Sequence, residues 1–369
     1  MQIYRILEFP IKFLLSFFPF MVQLSTASIG HFCFEFDISE HKRKKIEIHS
    51  PIRGRYVLYY QQRRISNQYL LQLVKRERMV IPFWLGHLVF RLQSRFGVIS
   101  GYLFEEFKDK SVSQLMTVHT TKPRLAPSDN EIQDCVNFIA SKVDSSRPLV
   151  LIAIRDSGYD EYCVRKGFAD KGILTRQAFR NGDINDYRDS ILYLLQAGYS
   201  VVRVGRHNNV GLLEKLENYY DYSLDYNNHN DRYDVLMHKI AKFCISTGTG
   251  VDELSNLFRH RIYNVNFTMP GSRTQSHLNP IFLLQDYIDP QSQNKIPLHE
   301  VLDTSLFDEH PNKLKVEKGI LVRQKSGYQL LSFIQLVISI EKSLESNSNY
   351  FSIDLNLGLE TSRDGRYFY

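Results

Sequence analysis

Short apolar runs alternate with segments of helical spacing along most of this chain. That alternation predicts parallel strands covered by helices, an α/β fold. Residues 21–24 read as a strand entering a small-residue turn at 25–30. From His31 to about Glu40, Phe32, Phe36 and Ile38 share one helical face, and the basic run 42–45 suits the negative end of that helix. Residues 55–60 read as a strand, 67–75 as a helix, and 79–95 as a further strand and helix. Polarity rises over 117–129, where Ser128 and Glu131 have capping-box spacing ahead of a helix at 131–143.

The second half repeats the rhythm more clearly. Residues 149–154 form a continuous apolar strand of the buried parallel kind. A helix at 185–196 ends at Gly198, a strand follows at 200–204, and a short helix is expected at 210–218. Residues 219–224 read as a strand, 232–242 as a helix, 243–245 as a strand, 251–259 as a helix and 262–265 as a strand. A long final helix is expected over 325–344. The domains predicted from this pattern are 1–145, 146–325, and a carboxyl-terminal helix and tail over 326–369.

The most informative stretch is Ser246-Thr-Gly-Thr-Gly250, a turn between an apolar strand and a helix with Asp252 and Glu253 in its first turn. Backbone N–H groups at such a junction can cradle phosphate, and glycine lets a ligand approach the backbone. The turn lacks the lysine of a P-loop and the spacing of a dinucleotide fingerprint. Its neighbours strengthen it, because ligands of parallel α/β sheets bind beyond the carboxyl ends of strands. Those ends carry Arg155, Ser157 and Tyr159 after one strand, Arg203, Gly205 and Arg206 after the next, and Asn266 after the last. Arginine suits a diphosphate because its guanidinium offers two parallel N–H groups. Each residue also has a plainer reading: a surface ion pair for either arginine, helix-dipole partners for Asp252 and Glu253, and sheet-edge cover for Tyr159.

Composition adds limits. The chain of 369 residues has room for two domains, and its formal net charge of +6 is spread out, which disfavours nucleic acid as a partner. Four cysteines, Cys33, Cys135, Cys163 and Cys244, form no C-x-x-C pair, as expected of free thiols in a reducing compartment. Residues 1–20 are apolar but broken by Arg5, Glu8, Pro10, Lys12 and Pro19, matching neither a span nor a cleaved signal. A short helix leading into the first strand competes there with contact at a membrane surface.

The phrases Arg155-Asp-Ser157, Gly198-Tyr199 leading to Val202-Arg203-Val-Gly205, Asp221-Tyr-Ser223 and the segment 241–250 resemble a family of bacterial glycosyltransferases from surface-polysaccharide gene clusters. The resemblance covers about 149–269. It is weaker in the first half, at Ser28-Ile-Gly-His31 and Asn67-Gln-Tyr-Leu70, where Ser28 stands in place of the family's arginine. It implies GT-B architecture: two Rossmann-like domains facing a cleft, with a nucleotide sugar on the second and a glycan or glycolipid acceptor on the first. On that resemblance the expected phosphate contacts are Arg155, Ser157, Arg203, Gly205, Ser246, Thr247, Gly248, Thr249 and Gly250. Asp252, Glu253, Tyr159 and Asn266 would meet ribose or base. His31 is the first candidate base, with helix capping or phosphate contact as its alternative role, and Asp37 is the second, although its helical spacing points it toward solvent. No D-x-D motif occurs, so metal-free transfer is expected, with no cofactor beyond the sugar nucleotide as co-substrate. The expected location is the cytoplasm or the inner membrane face. A sugar-nucleotide epimerase and a non-catalytic nucleotide-sugar-binding protein stand as alternatives.

Overall fold

The computed structural model describes residues 20–49, 57–95, 121–268, 281–303, 306, 310–325, 327–346 and 367–368. All but the last residue of the expected amino-terminal membrane segment lies outside them, as does most of the polar tail. The chain divides into two compact units, Met1–Pro127 and Ser128–Tyr369. The division precedes the capping box. Ser128 accepts from the Glu131 N–H and the Glu131 carboxylate accepts from the Ser128 N–H, opening helix Asp129–Ala140 inside the second unit. That helix stacks Phe138 on Tyr233 with ring centroids 4.3 Å apart.

In the first unit, strands β1 (Phe20–Leu24), β2 (Val57–Gln61) and β3 (Val80–Ile81) form a parallel sheet in that order. Helix Ile29–His49 runs on past the predicted end near Glu40 and through the basic run. Asn67 caps helix Gln68–Glu77 by accepting from the Leu70 N–H at 2.7 Å. Helix Phe83–Arg95 lies close to the sheet at Gly86, where a Cβ would stand 2.2 Å from Cβ of Tyr60. A buried ionic contact ties the unit together. Glu40 accepts from Arg78 at 2.8 and 2.6 Å and from the Tyr59 hydroxyl at 2.8 Å.

The second unit contains β4 (Leu149–Ala153), β5 (Ser200–Arg203), β6 (Tyr219–Asp221), β7 (Phe243–Ser246), β8 (Arg261–Phe267) and β9 (Ile281–Leu284). A short antiparallel pair, β10 (Asp286–Ile288) and β11 (Leu321–Arg323), follows, and β12 (Tyr367–Phe368) joins the main sheet. The main sheet is parallel throughout, in the order β12-β9-β8-β7-β4-β5-β6. β4, β5 and β7 are buried at every position, and the unbroken apolar run of β4 is of the kind enclosed on both faces.

Helix Tyr328–Glu345 belongs to this unit's core. Its Leu330, Phe333, Ile334 and Val337 pack with Val150, Val201, Phe243 and Tyr263 of the strands and with Ile191 and Leu194 of helix Arg188–Gln196. Full burial of a Phe or Leu contributes about 1.5–3 kcal/mol, so this seam is a major source of the unit's stability. Glu341 is buried in the same helix, where Arg261 donates at 2.6 and 2.7 Å and the Tyr263 hydroxyl at 2.5 Å.

The helix expected at 210–218 is absent; the segment is irregular up to β6. Its backbone donors are claimed by side chains. The Asp156 carboxylate accepts from the N–H groups of Asn209 and Val210 at 2.7 and 3.0 Å, and Asn185 accepts from that of Leu213 at 3.1 Å. Asn218 takes a left-handed φ of 62°, which turns the chain into β6.

Candidate functional site

Numbered within the second unit, the first six strands lie in the order 3-2-1-4-5-6, reversing between β4 and β7. At that reversal the connections leave in opposite directions and open a crevice at the carboxyl ends of the two strands. The loops there are residues 154–158 and the turn 246–250. They are joined directly: the Thr247 N–H donates to the Ala153 carbonyl at 3.2 Å, and the Arg155 N–H to Oγ1 of Thr247 at 3.4 Å.

The turn is built on glycine at one position above all. Gly248 has φ of 75°, and a Cβ on it would stand 2.4 Å from the Phe267 ring. A side chain there meets both backbone strain and overlap. The N–H groups expected to be open for phosphate are partly used within the turn. Those of Gly248 and Thr249 donate to Oγ of Ser246 at 3.0 and 3.4 Å, and that hydroxyl donates to Asp252 at 2.7 Å. Ser246 and Asp252 are fully buried, and Glu253, also buried, accepts from the Asn256 amide at 3.1 Å. These three shape the turn from inside. Thr249 differs: its hydroxyl is buried and has no hydrogen-bond partner. A buried polar atom without a partner marks a place where a ligand or water can complete the bonding, and Oδ1 of Asn256 in the following helical turn is another such atom.

Two arginines meet this turn, Arg155 through its backbone N–H and Arg180 through its guanidinium. Arg155 pairs with the buried Asp160 and donates through Nε to Asn181 at 3.2 Å. Arg180, the residue before Asn181, donates to the Gly248 carbonyl. The segment carrying Arg180 is fixed on both sides. The Gly182 N–H donates to the Arg155 carbonyl at 2.8 Å, and the Gln285 amide donates to the Phe179 carbonyl at 2.8 Å. Arg180 was not singled out from the sequence, because residues 177–182 show neither strand nor helix periodicity.

Arg203 occupies a different setting. Its side chain is 0% exposed and donates to the carbonyls of Val210 and Ile154 and to Asp221 at 3.1 Å, with Asp156 3.8 Å away. The pairing with Asp221 follows from register, since the two residues are partners across β5 and β6. Asp156 also accepts from the Gly158 N–H at 2.9 Å, an Asx turn that the Asp-Ser-Gly spacing encodes. The guanidinium is therefore spent on fixing loop 207–211 to the end of β4, and its phosphate-contacting role does not fit this burial. Asn266 is likewise occupied. It is buried, donates to the Tyr187 hydroxyl at 2.8 Å and the Lys325 carbonyl at 3.0 Å, and accepts from the Lys325 N–H at 2.6 Å.

Past β5, Gly205 has φ of 125°, and His207 stacks on Tyr162 with centroids 3.8 Å apart. Tyr159, 37% exposed, lies 6.4 Å from Tyr162 at the border of this aromatic group. Ser157 is tied to Glu161 at 2.6 Å. Burial, then His229, then Arg206 and Arg165, hold the His207 imidazole below its ordinary value. Arg206 bridges Asp231 and Asp234, and burial pushes the Asp234 carboxyl up to about 6 against the pull of Arg206. Farther along the edge Lys325 is buried against Asp286, and burial brings its amine down to about 8. A charged residue just after a polar strand end was the only sequence signal for Lys325.

In the first unit, His31 has a 70% exposed side chain with Glu35 at 3.4 Å one turn on. Asp37 is buried, with Arg124 3.6 Å away. The helical spacing that suggested solvent for Asp37 misplaced it, since its helix continues and that face is covered. The turn before His31 is fixed by Thr26, whose hydroxyl donates to the Arg64 carbonyl at 2.7 Å and accepts from the Gln62 N–H at 3.1 Å.

These features define the second unit as a doubly wound parallel α/β unit whose strand order reverses between β4 and β7. No protein-family model matches the sequence, and no curated protein does. Among solved structures, the chain is similar to that of E. coli ADP-heptose LPS heptosyltransferase II, at 10% identity and a TM-score of 0.39, covering 66% of this chain and 84% of that one. Among the described residues no helix is long and apolar enough to cross a membrane.

Proposed function

We propose that the protein is a glycosyltransferase that moves a sugar from a nucleotide-sugar donor to a surface-glycan or glycolipid acceptor, the second unit holding the donor. The observation that carries the reading is the placement of turn 246–250 beside Arg155 and Arg180 at the strand reversal, with the Thr249 hydroxyl buried and unpartnered. As the glycosidic bond to phosphate breaks, negative charge grows on the leaving diphosphate. Fixed cations and N–H groups that meet it in place lower the barrier, because they need little reorganisation. Arg155 and Arg180 are the cations suited to that task. Thr249 donates one hydrogen bond to a phosphate oxygen, and the N–H groups at the start of the 250–257 helical segment add to it. His31, exposed on the first unit, is the residue suited to take the proton from the acceptor hydroxyl.

A thermal-shift screen of nucleotide sugars tests the reading. A donor at about 100 times its Kd adds about 2.7 kcal/mol and raises the Tm by several degrees. Thr249→Val, which removes only an unpartnered hydroxyl, keeps the unliganded Tm and weakens that donor roughly fivefold to tenfold. His31→Ala keeps the donor shift and loses roughly a hundredfold in transfer. A screen in which no nucleotide sugar moves the Tm rejects the reading. An epimer formed without acceptor would assign the site to an epimerase instead.

A further inference from the structure

Large exposed apolar side chains are ordinarily scattered singly over a protein surface. On the first unit, four fall within fourteen residues: Met79 at 69%, Trp84 at 68%, Leu88 at 52% and Leu92 at 38% exposure. Trp84, Leu88 and Leu92 follow one another at intervals of four along helix Phe83–Arg95, which puts them on one face. The opposite face is used for packing. Gly86 sits against Tyr60, and the Phe90 ring lies 6.2 Å from the Tyr60 ring. Among the described residues the outward apolar crest is thus left exposed.

Cations outnumber carboxylates beside this crest, although Arg78 is taken up by Glu40. Arg91 and Arg95 are exposed, and their spacing sets them on the same side as Trp84 and Leu88. Lys75 and Arg76 are exposed just before Met79. From Lys75 to Arg95 there are five Lys or Arg and a single carboxylate, Glu77, a net of 5 − 1 = +4. The whole chain carries only +6. A tryptophan and leucine crest flanked by cations, on a helix with no acidic neighbour along it, has the chemistry of a segment lying in the plane of a bilayer. The apolar side chains enter the acyl boundary while the arginines reach phosphate headgroups.

We propose that the exposed face of helix Phe83–Arg95, with Met79, docks on anionic lipid bilayers. This surface belongs to the first unit and the proposed donor site to the second, and the proposal does not depend on the transferase reading.

The chain offers a built-in reporter, because Trp84 is its only tryptophan. The full-length protein is titrated with vesicles of equal parts phosphatidylglycerol and phosphatidylethanolamine, and separately with pure phosphatidylcholine vesicles. Trp84 fluorescence and co-sedimentation are followed together. The proposal requires the emission to move to shorter wavelength with the anionic vesicles only. The double variant Arg91→Glu, Arg95→Glu lowers the partition coefficient roughly thirtyfold, at about one decade or less per cation. Leu88→Asp abolishes the shift, with circular dichroism confirming that both variants keep their helix content. Emission unmoved by anionic vesicles overturns the proposal, as does an equal shift with phosphatidylcholine. Emission already at short wavelength without lipid, or moving with protein concentration alone, assigns the crest to a chain contact and overturns it too.

Discussion

Arg155 and Arg203 stand just after, or at the end of, neighbouring parallel strands in the second unit, and in the sequence they look alike. The fold gives them opposite employment. Arg203 lies inside the sheet edge, with its donors divided among two carbonyls and Asp221. Arg155 lies two residues beyond β4, 15% exposed, beside the turn at the strand reversal. The difference comes from what each strand faces. β5 runs beside β6, whose Asp221 is its register partner, whereas β4 runs beside β7, whose continuation is a turn of small residues. Both cations meet an acid, Asp221 for Arg203 and Asp160 for Arg155, but only the one whose acid is its register partner is wholly enclosed.

The largest effect expected from this contrast is on stability. Arg203→Ala leaves Asp221 and Asp156 without their buried partner and frees loop 207–211, at a cost of about 3–5 kcal/mol. Thermal unfolding should fall by roughly 10 °C or more. A variant that unfolds at the wild-type temperature but binds donor poorly would return Arg203 to the ligand. A smaller, pH-dependent effect tests the far end of the same edge. Burial brings the Lys325 amine to about 8 from its ordinary 10.5, so between those values the unfolded chain holds more protons than the folded one. The contribution of Lys325 to stability therefore rises with pH from about 8 to 10.5 and is least below 8. Lys325→Met removes that slope, so urea denaturation should show the variant's advantage over wild type shrinking as the pH rises across the window. A constant difference across the window would mean that the amine is not desolvated.

Much of the framework was legible. A continuous apolar run marked β4 and shorter apolar stretches marked β5, β7 and β8, the capping box marked the start of a helix, and the glycine at 248 marked a turn that admits no side chain. What escaped was pairing through side chains. Leu212 and Leu216 have helical spacing, yet the segment is irregular, and Asp156 and Asn185 hold N–H groups at its start. Ser246, Asp252 and Asn266 looked ligand-facing by position, but each is buried and bonded within the protein. Position along a strand gives the edge on which a residue lies. Its availability depends on the register partner and on loops that return from distant sequence, as Asn181 does to Arg155.

The central claim is that an anionic ligand is held at the reversal between β4 and β7. Isothermal titration of the best donor from the screen against Arg155→Ala, Asp160→Asn tests it most directly, since the second change removes the carboxylate that would otherwise lose its buried partner. The account predicts a folded protein whose donor affinity falls roughly tenfold to a hundredfold, the range for losing one charge-assisted hydrogen bond. An affinity equal to that of the wild type would contradict it.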